Sequence, residues 1–214
     1  MAGEPAFDRR RSRHEATKEE ILGATWELAR TRGLTGFSVR DLALAVHMRH
    51  QSLYTYFPSK HAIYDAMFSQ GMRSLVDRRA ALSLDRDPIQ ALRQAARAFV
   101  AFCVEDPVRY QLLFERVIPD FVPSATSIEL SAEALSYLET WHHAAGLTDP
   151  ADVDLWRAVL TGLAGQQIAN DPGGTRWTRL VDRGIDGLLA TARHPGKRTT
   201  VPRTRSTVSS PPRR

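Results

Sequence analysis

At 214 residues with 43% hydrophobic side chains, the chain is long enough to build one large or two small domains around a real core. Its single cysteine, Cys103, excludes an internal disulfide and a thiolate zinc site, no run approaches roughly 18 consecutive apolar residues, and the polar N-terminal stretch lacks the apolar segment of an export signal, so a cytoplasmic protein without membrane association is expected. The formal net charge of +5 divides into +3 over residues 1–60, −4 over 61–193 and +6 over 194–214; basicity sits at the ends of an acidic body and alone is a poor argument for nucleic-acid binding.

Residues 1–16 are polar, cluster Arg9, Arg10, Arg11 and Arg13, and lack apolar periodicity, which predicts a flexible basic arm. A first helix is expected over 17–32, with Ile21, Leu22, Thr25, Leu28 and Ala29 on one face and Gly33 as a left-handed stop. Two short helices follow, near 39–46 and 50–56. Ser38 and Asp41 make a capping-box-like start for the first, with Leu42, Ala45 and Val46 as its small buried face, and Val46-His47-Met48 forms the turn. The second buries Leu53 and Phe57 and presents Arg49, His50, Gln51, Ser52 and Tyr54 near its N-terminal end. Arg, Gln and Ser are side chains that read donor and acceptor patterns in a DNA major groove. Pro58 stops this helix, Ser59 caps the next, and Lys60 stands where a cation gains from an outside anion such as a phosphate.

Ser38-Val39-Arg40-Asp41-Leu42-Ala43, followed by Leu53-Tyr54-Thr55-Tyr56-Phe57-Pro58-Ser59-Lys60, resembles the signature of the TetR (tetracycline-repressor) family over roughly residues 17–68. The resemblance implies that Arg40, Tyr54, Tyr56 and Lys60 grip phosphates while residues 49–52 meet bases or adjacent backbone. Half-buried packing is the lesser alternative for Tyr54 and Tyr56. Two positions depart from the family pattern: His47 replaces a turn glycine, and Arg49 stands where Ser or Thr usually begins the reading helix. Histidine tolerates positive φ, and Arg49 exchanges a side-chain cap for a long cation.

Beyond residue 60 further helices are expected near 60–82, 88–105, 107–116, 125–145, 151–169 and 175–193, about nine in all, and the chain reads as all-α. Asp-Pro recurs at 87–88, 106–107, 149–150 and 171–172 as a helix-start signal, softened at the last by Gly173 and Gly174, so that Thr175 is an alternative cap. Residues 194–214, rich in Pro, Ser, Thr and Arg, read as a disordered basic tail. The organisation expected is an arm (1–16), a three-helix helix-turn-helix DNA-binding domain (17–62), a larger helical ligand-binding and dimerisation domain (63–193) and the tail.

Arg109-Tyr110-Gln111-Leu112-Leu113-Phe114, Ile118-Pro119-Asp120-Phe121-Val122-Pro123, and Trp156 with Gly162 resemble a family subgroup with a Trp-His-Gly signature, although Thr161 replaces its histidine. In the C-terminal half Phe99, Phe102, Cys103, Tyr110, Phe114, Trp141 and Gln166 are candidates to line an effector pocket, or, as an aromatic stripe, simply core. Trp156, Leu160, Leu163, Ile185 and Leu188 offer more apolar surface than a terminal helix pair usually buries alone and point to a homodimer interface, with intrachain packing as the alternative. The reading is a repressor that binds an inverted-repeat operator as a homodimer and is released by a small-molecule effector; an activator, or a regulator without effector, fits the same motif. No cofactor, metal or catalytic residue is expected: no nucleophile elbow or phosphate-cradling glycine loop occurs, and adjacent His142 and His143 point about 100° apart on a helix rather than at zinc spacing.

Overall fold

The computed structural model describes residues 4–136 and 138–192, and every regular element among them is helical. Helix α1 (Glu4–Arg32) buries Ile21, Leu22, Trp26 and Ala29, and closes where Gly33, at φ +79°, donates its N–H to the Ala29 carbonyl at 2.8 Å. The sequence expectation of a non-helical arm up to residue 16 is corrected here: the helix continues back to Glu4. Apolar periodicity reports packing against a core and is silent about a solvated extension. Straight-chain Arg and Glu nevertheless lose little rotamer freedom in a helix, and His14 is anchored by stacking on Tyr56, rings 4.7 Å apart.

Helices α2 (Val39–Ala45) and α3 (His50–Leu53) follow, with residues 54–56 in turns rather than in the longer second helix expected. Helix α4 (Lys60–Ala80) starts at Ser59, whose hydroxyl accepts from Ala62 N at 3.1 Å. Three Asp-Pro pairs act as anticipated. Asp87, Asp106 and Asp149 each accept from a first-turn N–H of α5 (Pro88–Glu105), α6 (Pro107–Phe114) and α9 (Pro150–Asn170), with proline at a position that needs no donor.

The stretch expected as one helix over 125–145 is two, α7 (Ala125–Ser136) and α8 (Glu139–Ala144). The fourth Asp-Pro closes α9 instead of opening a helix. Gln167, buried on α9, takes N–H bonds from Trp177 (2.8 Å) and Thr178 (3.3 Å), and Asp171 takes one from Arg176 (2.9 Å), so the loop folds back on the helix end. A 3-10 turn at Thr178–Leu180 then leads into α10 (Val181–Ala192). The tail, 194–214, lies outside the described residues.

Two cores form. The first gathers Ile21, Trp26, Phe37, Leu42, Leu53, Phe57, Ile63 and Met67, and Leu112 and Ile118 from the second half reach into it. The other contains Phe68, Met72, Leu92, Phe102, Tyr110, Trp156, Leu160, Ile185 and Leu188. The handover falls inside α4, between Met67 and Phe68, so one continuous helix serves both. Trp156, Leu160, Ile185 and Leu188 are each no more than 4% exposed in the single chain, which corrects their assignment to a subunit interface. Gly184 lets α10 approach α9 so closely that a Cβ there would stand 3.0 Å from Val159, and the apolar surface is consumed by packing within the chain. Only Leu163 of the five stays partly exposed.

Candidate nucleic-acid interface and body cavity

The capping box sets the angle of α2. Asp41 N donates to the Ser38 hydroxyl at 3.2 Å, and the Asp41 carboxylate accepts from Ser38 N at 2.7 Å. The Ser38 hydroxyl also donates to that carboxylate at 2.6 Å, and this bond, then the one from Ser38 N and the Arg32 guanidinium 3.1 Å away, hold the Asp41 carboxyl down at about 2. The turn to α3 then passes through His47 at φ 52°, the left-handed conformation anticipated for it. Arg49 stands at the N-cap of α3 with extended backbone and no side-chain cap bond, as its replacement of Ser or Thr implies.

Arg40, Arg49, Gln51 and Tyr54 are exposed, with Tyr54 at 45%; His50 and Ser52 are half-buried, and the His50 ring meets Tyr54 edge-on at 5.2 Å. Tyr56 is half-buried beneath His14. There Arg10, Arg11 and Arg13 of the α1 extension border an open groove with Thr55 and Tyr56. The arginine cluster, expected on a flexible arm, thus lies beside the residues that follow the reading helix. Lys60 differs from expectation. Its ammonium donates to the Phe37 carbonyl and lies 4.4 Å from the Phe37 ring and 5.4 Å from that of Tyr64, and burial lowers its pKa. It clamps α4 to the loop before α2 rather than standing free as a phosphate-seeking cation.

An ion pair with a buried carboxylate and a partly exposed guanidinium also ties the first core to the body. Arg30 on α1 reaches Asp106 with Nη2 at 2.7 Å and Nε at 3.2 Å, while Asp106 also caps α6. Arg109, one turn along α6, lies 3.7 Å over the Phe102 ring and donates to the Phe102 carbonyl at 2.7 Å.

A cavity of about 60 Å³ opens inside the body. Leu75, Ala95, Phe99, Trp156 and Leu160 give it apolar walls, while His142, Arg79 and Arg157 stand at its polar side. Of the pocket candidates read from sequence, only Phe99 lines it. Phe102 and Cys103 are buried core, where burial pushes the Cys103 thiol up to about 12. Tyr110 donates to the Thr161 carbonyl at 3.0 Å and packs with Phe114 against Phe99, Trp141 is half-buried against the core, and Gln166 is exposed and bonded to Asn170. The missed residue is His142. It is 2% exposed, set edge-on to Trp156 at 5.1 Å, with neither ring nitrogen hydrogen-bonded. Burial, helped by the charges of Arg157 and His143, holds its imidazole down to about 4. No sequence signal separates it from exposed His143, because the break between α7 and α8 decides which histidine turns inward.

Among the described residues no helix is long and apolar enough to cross a membrane. Residues 21–67 match the family model of bacterial regulatory proteins, tetR family. A curated relative, the uncharacterized HTH-type transcriptional regulator YobS of Bacillus subtilis (strain 168), is 29% identical over 101 residues, 47% of this chain and 53% of that one; the chain thus spans about half the length of the relative it matches. Among solved structures, SCO4313 is similar at TM-score 0.71 and 22% identity, covering 84% of this chain and 98% of its own. AibR, solved with isovaleryl coenzyme A and operator DNA, is similar at TM-score 0.54 and 20% identity, covering 81% and 96%.

Proposed function

We propose that this chain, whose residues 21–67 match the family model of bacterial regulatory proteins, tetR family, is a repressor that binds an inverted-repeat operator as a homodimer and releases it when a small molecule occupies the body. The observation that carries the reading is the joint exposure of Arg49 and Gln51 at the start of α3 and of Tyr54 just past its end, behind an α2 whose start is held by a complete capping box. Arg49 and Gln51 supply base-edge contacts, while Arg40 and Tyr54 meet flanking phosphates. Arg10, Arg11 and Arg13 extend the cationic surface past Tyr56, and Lys60 supports the motif from behind.

Pairing uses a face of α9 turned away from the core. Leu155, Ala158, Gly162 and Ala169 are exposed there and recur at helical spacing, with Leu163 at their edge. Two copies joined across this face carry two reading helices, which demands half-sites related by a two-fold axis. Effector binding in the cavity shifts α4 and α6 relative to α1 through the Arg30–Asp106 bridge, and the spacing of the readers changes with it. AibR, which shares the fold, was solved with both operator DNA and an acyl thioester ligand, which supports a reading that joins both activities in one chain.

Selection from a randomised duplex pool tests this function. Recovered sequences sharing an inverted repeat, bound in strong preference to random DNA at physiological salt, are the expected outcome. Recovery of no common sequence, with binding that vanishes as salt rises, would overturn it.

A further inference from the structure

The polar side of the body cavity is an unfinished site. His142 is 2% exposed and both of its ring nitrogens lack a hydrogen-bond partner. A neutral imidazole carries one donor and one acceptor, and native interiors seldom leave such groups unmet. Trp156 fixes the ring edge-on at 5.1 Å, so the imidazole is held at the cavity wall. Arg157, next on α9, stands at the same wall with its side chain 43% exposed; its charge is answered by Asp154 at 3.5 Å, a carboxylate itself 77% exposed.

A solvent-facing cleft between α8 and the start of α9, bordered by Glu139, His143, Thr148 and Asp154, shares His142 and Arg157 with the cavity. These two side chains therefore form the partition between the cleft and the apolar chamber of Leu75, Phe99, Trp156 and Leu160. A molecule that completes the site needs an apolar body for the chamber and an anionic head for the partition. Arginines at positions 79 and 157 disfavour a cation there. The chamber, at about 60 Å³, is smaller than the roughly 150 Å³ void that admits benzene, which selects a short chain over a ring. A planar carboxylate accepts from a guanidinium and an imidazole N–H together.

We propose that this cavity binds a short-chain aliphatic monocarboxylate, its chain between Phe99, Trp156 and Leu160 and its carboxylate bridging His142 and Arg157. The assignment names the chemical class of the effector invoked above and rests on that reading only for its effect on DNA.

Calorimetric titration of the full chain with butyrate, butyramide and inorganic phosphate at fixed ionic strength tests it. Butyrate is expected to bind about tenfold or more tightly than butyramide, because the amide forfeits the charge-assisted bonds. Arg157→Gln, a change at a partly exposed position, should weaken butyrate by about the same factor without changing butyramide. The His142 ring nitrogen resonances should shift on butyrate addition and not on phosphate addition. Equal binding of acid and amide, no binding of butyrate, phosphate binding that depends on Arg157, or indifference to Arg157→Gln overturns the site. DNA affinity is read separately: butyrate that binds yet leaves DNA affinity unchanged preserves the site and refutes the effector role.

Discussion

Acid should destabilise this protein through His142, by an amount that can be worked out. The imidazole titrates at 6.5 when solvated and is pushed to about 4 in the folded chain, first by burial and then by the positive charges of Arg157 and His143. The unfolded chain therefore binds the proton more readily. Stability from this group is constant above pH 6.5, falls as pH drops below it, and stops falling near pH 4, where the folded imidazole also protonates. At about 1.4 kcal/mol per pH unit, the loss is about 2 kcal/mol at pH 5 and levels off at roughly 3 kcal/mol. His142→Leu removes the titration and leaves an apolar side chain among Leu138, Trp156 and Leu160. Urea unfolding of both proteins at pH 7 and pH 5 isolates the effect, since carboxylates common to both cancel. The variant should gain about 2 kcal/mol on the wild type between the two pH values. An unchanged difference between the two proteins would refute the burial and the missing partners on which the cavity argument rests.

Three further outcomes follow from the backbone and the helix faces. A Cβ at Gly162 meets nothing within 4 Å, so Gly162→Arg should leave the monomer fold intact, even improving helix propensity by roughly 0.8–1 kcal/mol, while blocking the proposed pairing face; sedimentation should show a monomer, and a persisting dimer would place the interface elsewhere. Gly165→Ala sets a methyl 2.9 Å from the Tyr110 hydroxyl and strains its bond to the Thr161 carbonyl, so thermal melts should report a loss of roughly 1–3 kcal/mol; no loss would mean that Tyr110 is loosely held. His47→Gly relieves the left-handed conformation at φ 52° and should stabilise by roughly 1 kcal/mol in urea, whereas destabilisation would show that the histidine side chain supports the turn.

What the sequence made legible was whatever a local rule controls. The Ser38 and Asp41 cap, the Gly33 stop, three of the Asp-Pro starts and the positive φ at His47 each depend on a few adjacent residues, and each is present. The α1 extension escaped because its support, His14 on Tyr56, spans 42 positions and leaves no apolar period. Trp156, Leu160, Ile185 and Leu188 were rightly read as one apolar face, but sequence does not say whether the partner of that face is a second copy or α5 of the same chain; Arg97 and Arg93 on α5 paired with Asp182 and Asp186 on α10 draw those helices together. Lys60 looked like a free cation because the rings it covers, Phe37 and Tyr64, come from either side of it in the chain. The cavity was least legible. Its walls come from five helices and its polar side from a histidine whose burial is settled by a helix break.

Sequence reading by α3 is tested most directly at Arg49, which is exposed at the start of that helix and makes no side-chain cap bond. Fluorescence anisotropy at one salt concentration would compare wild type and Arg49→Ala on the selected inverted repeat and on a duplex of scrambled sequence. Loss of a base-edge contact predicts weakening by roughly 1–3 kcal/mol per half-site on the repeat, with a much smaller change on the scrambled duplex. Equal weakening on both duplexes, or none on either, would contradict sequence reading by this helix.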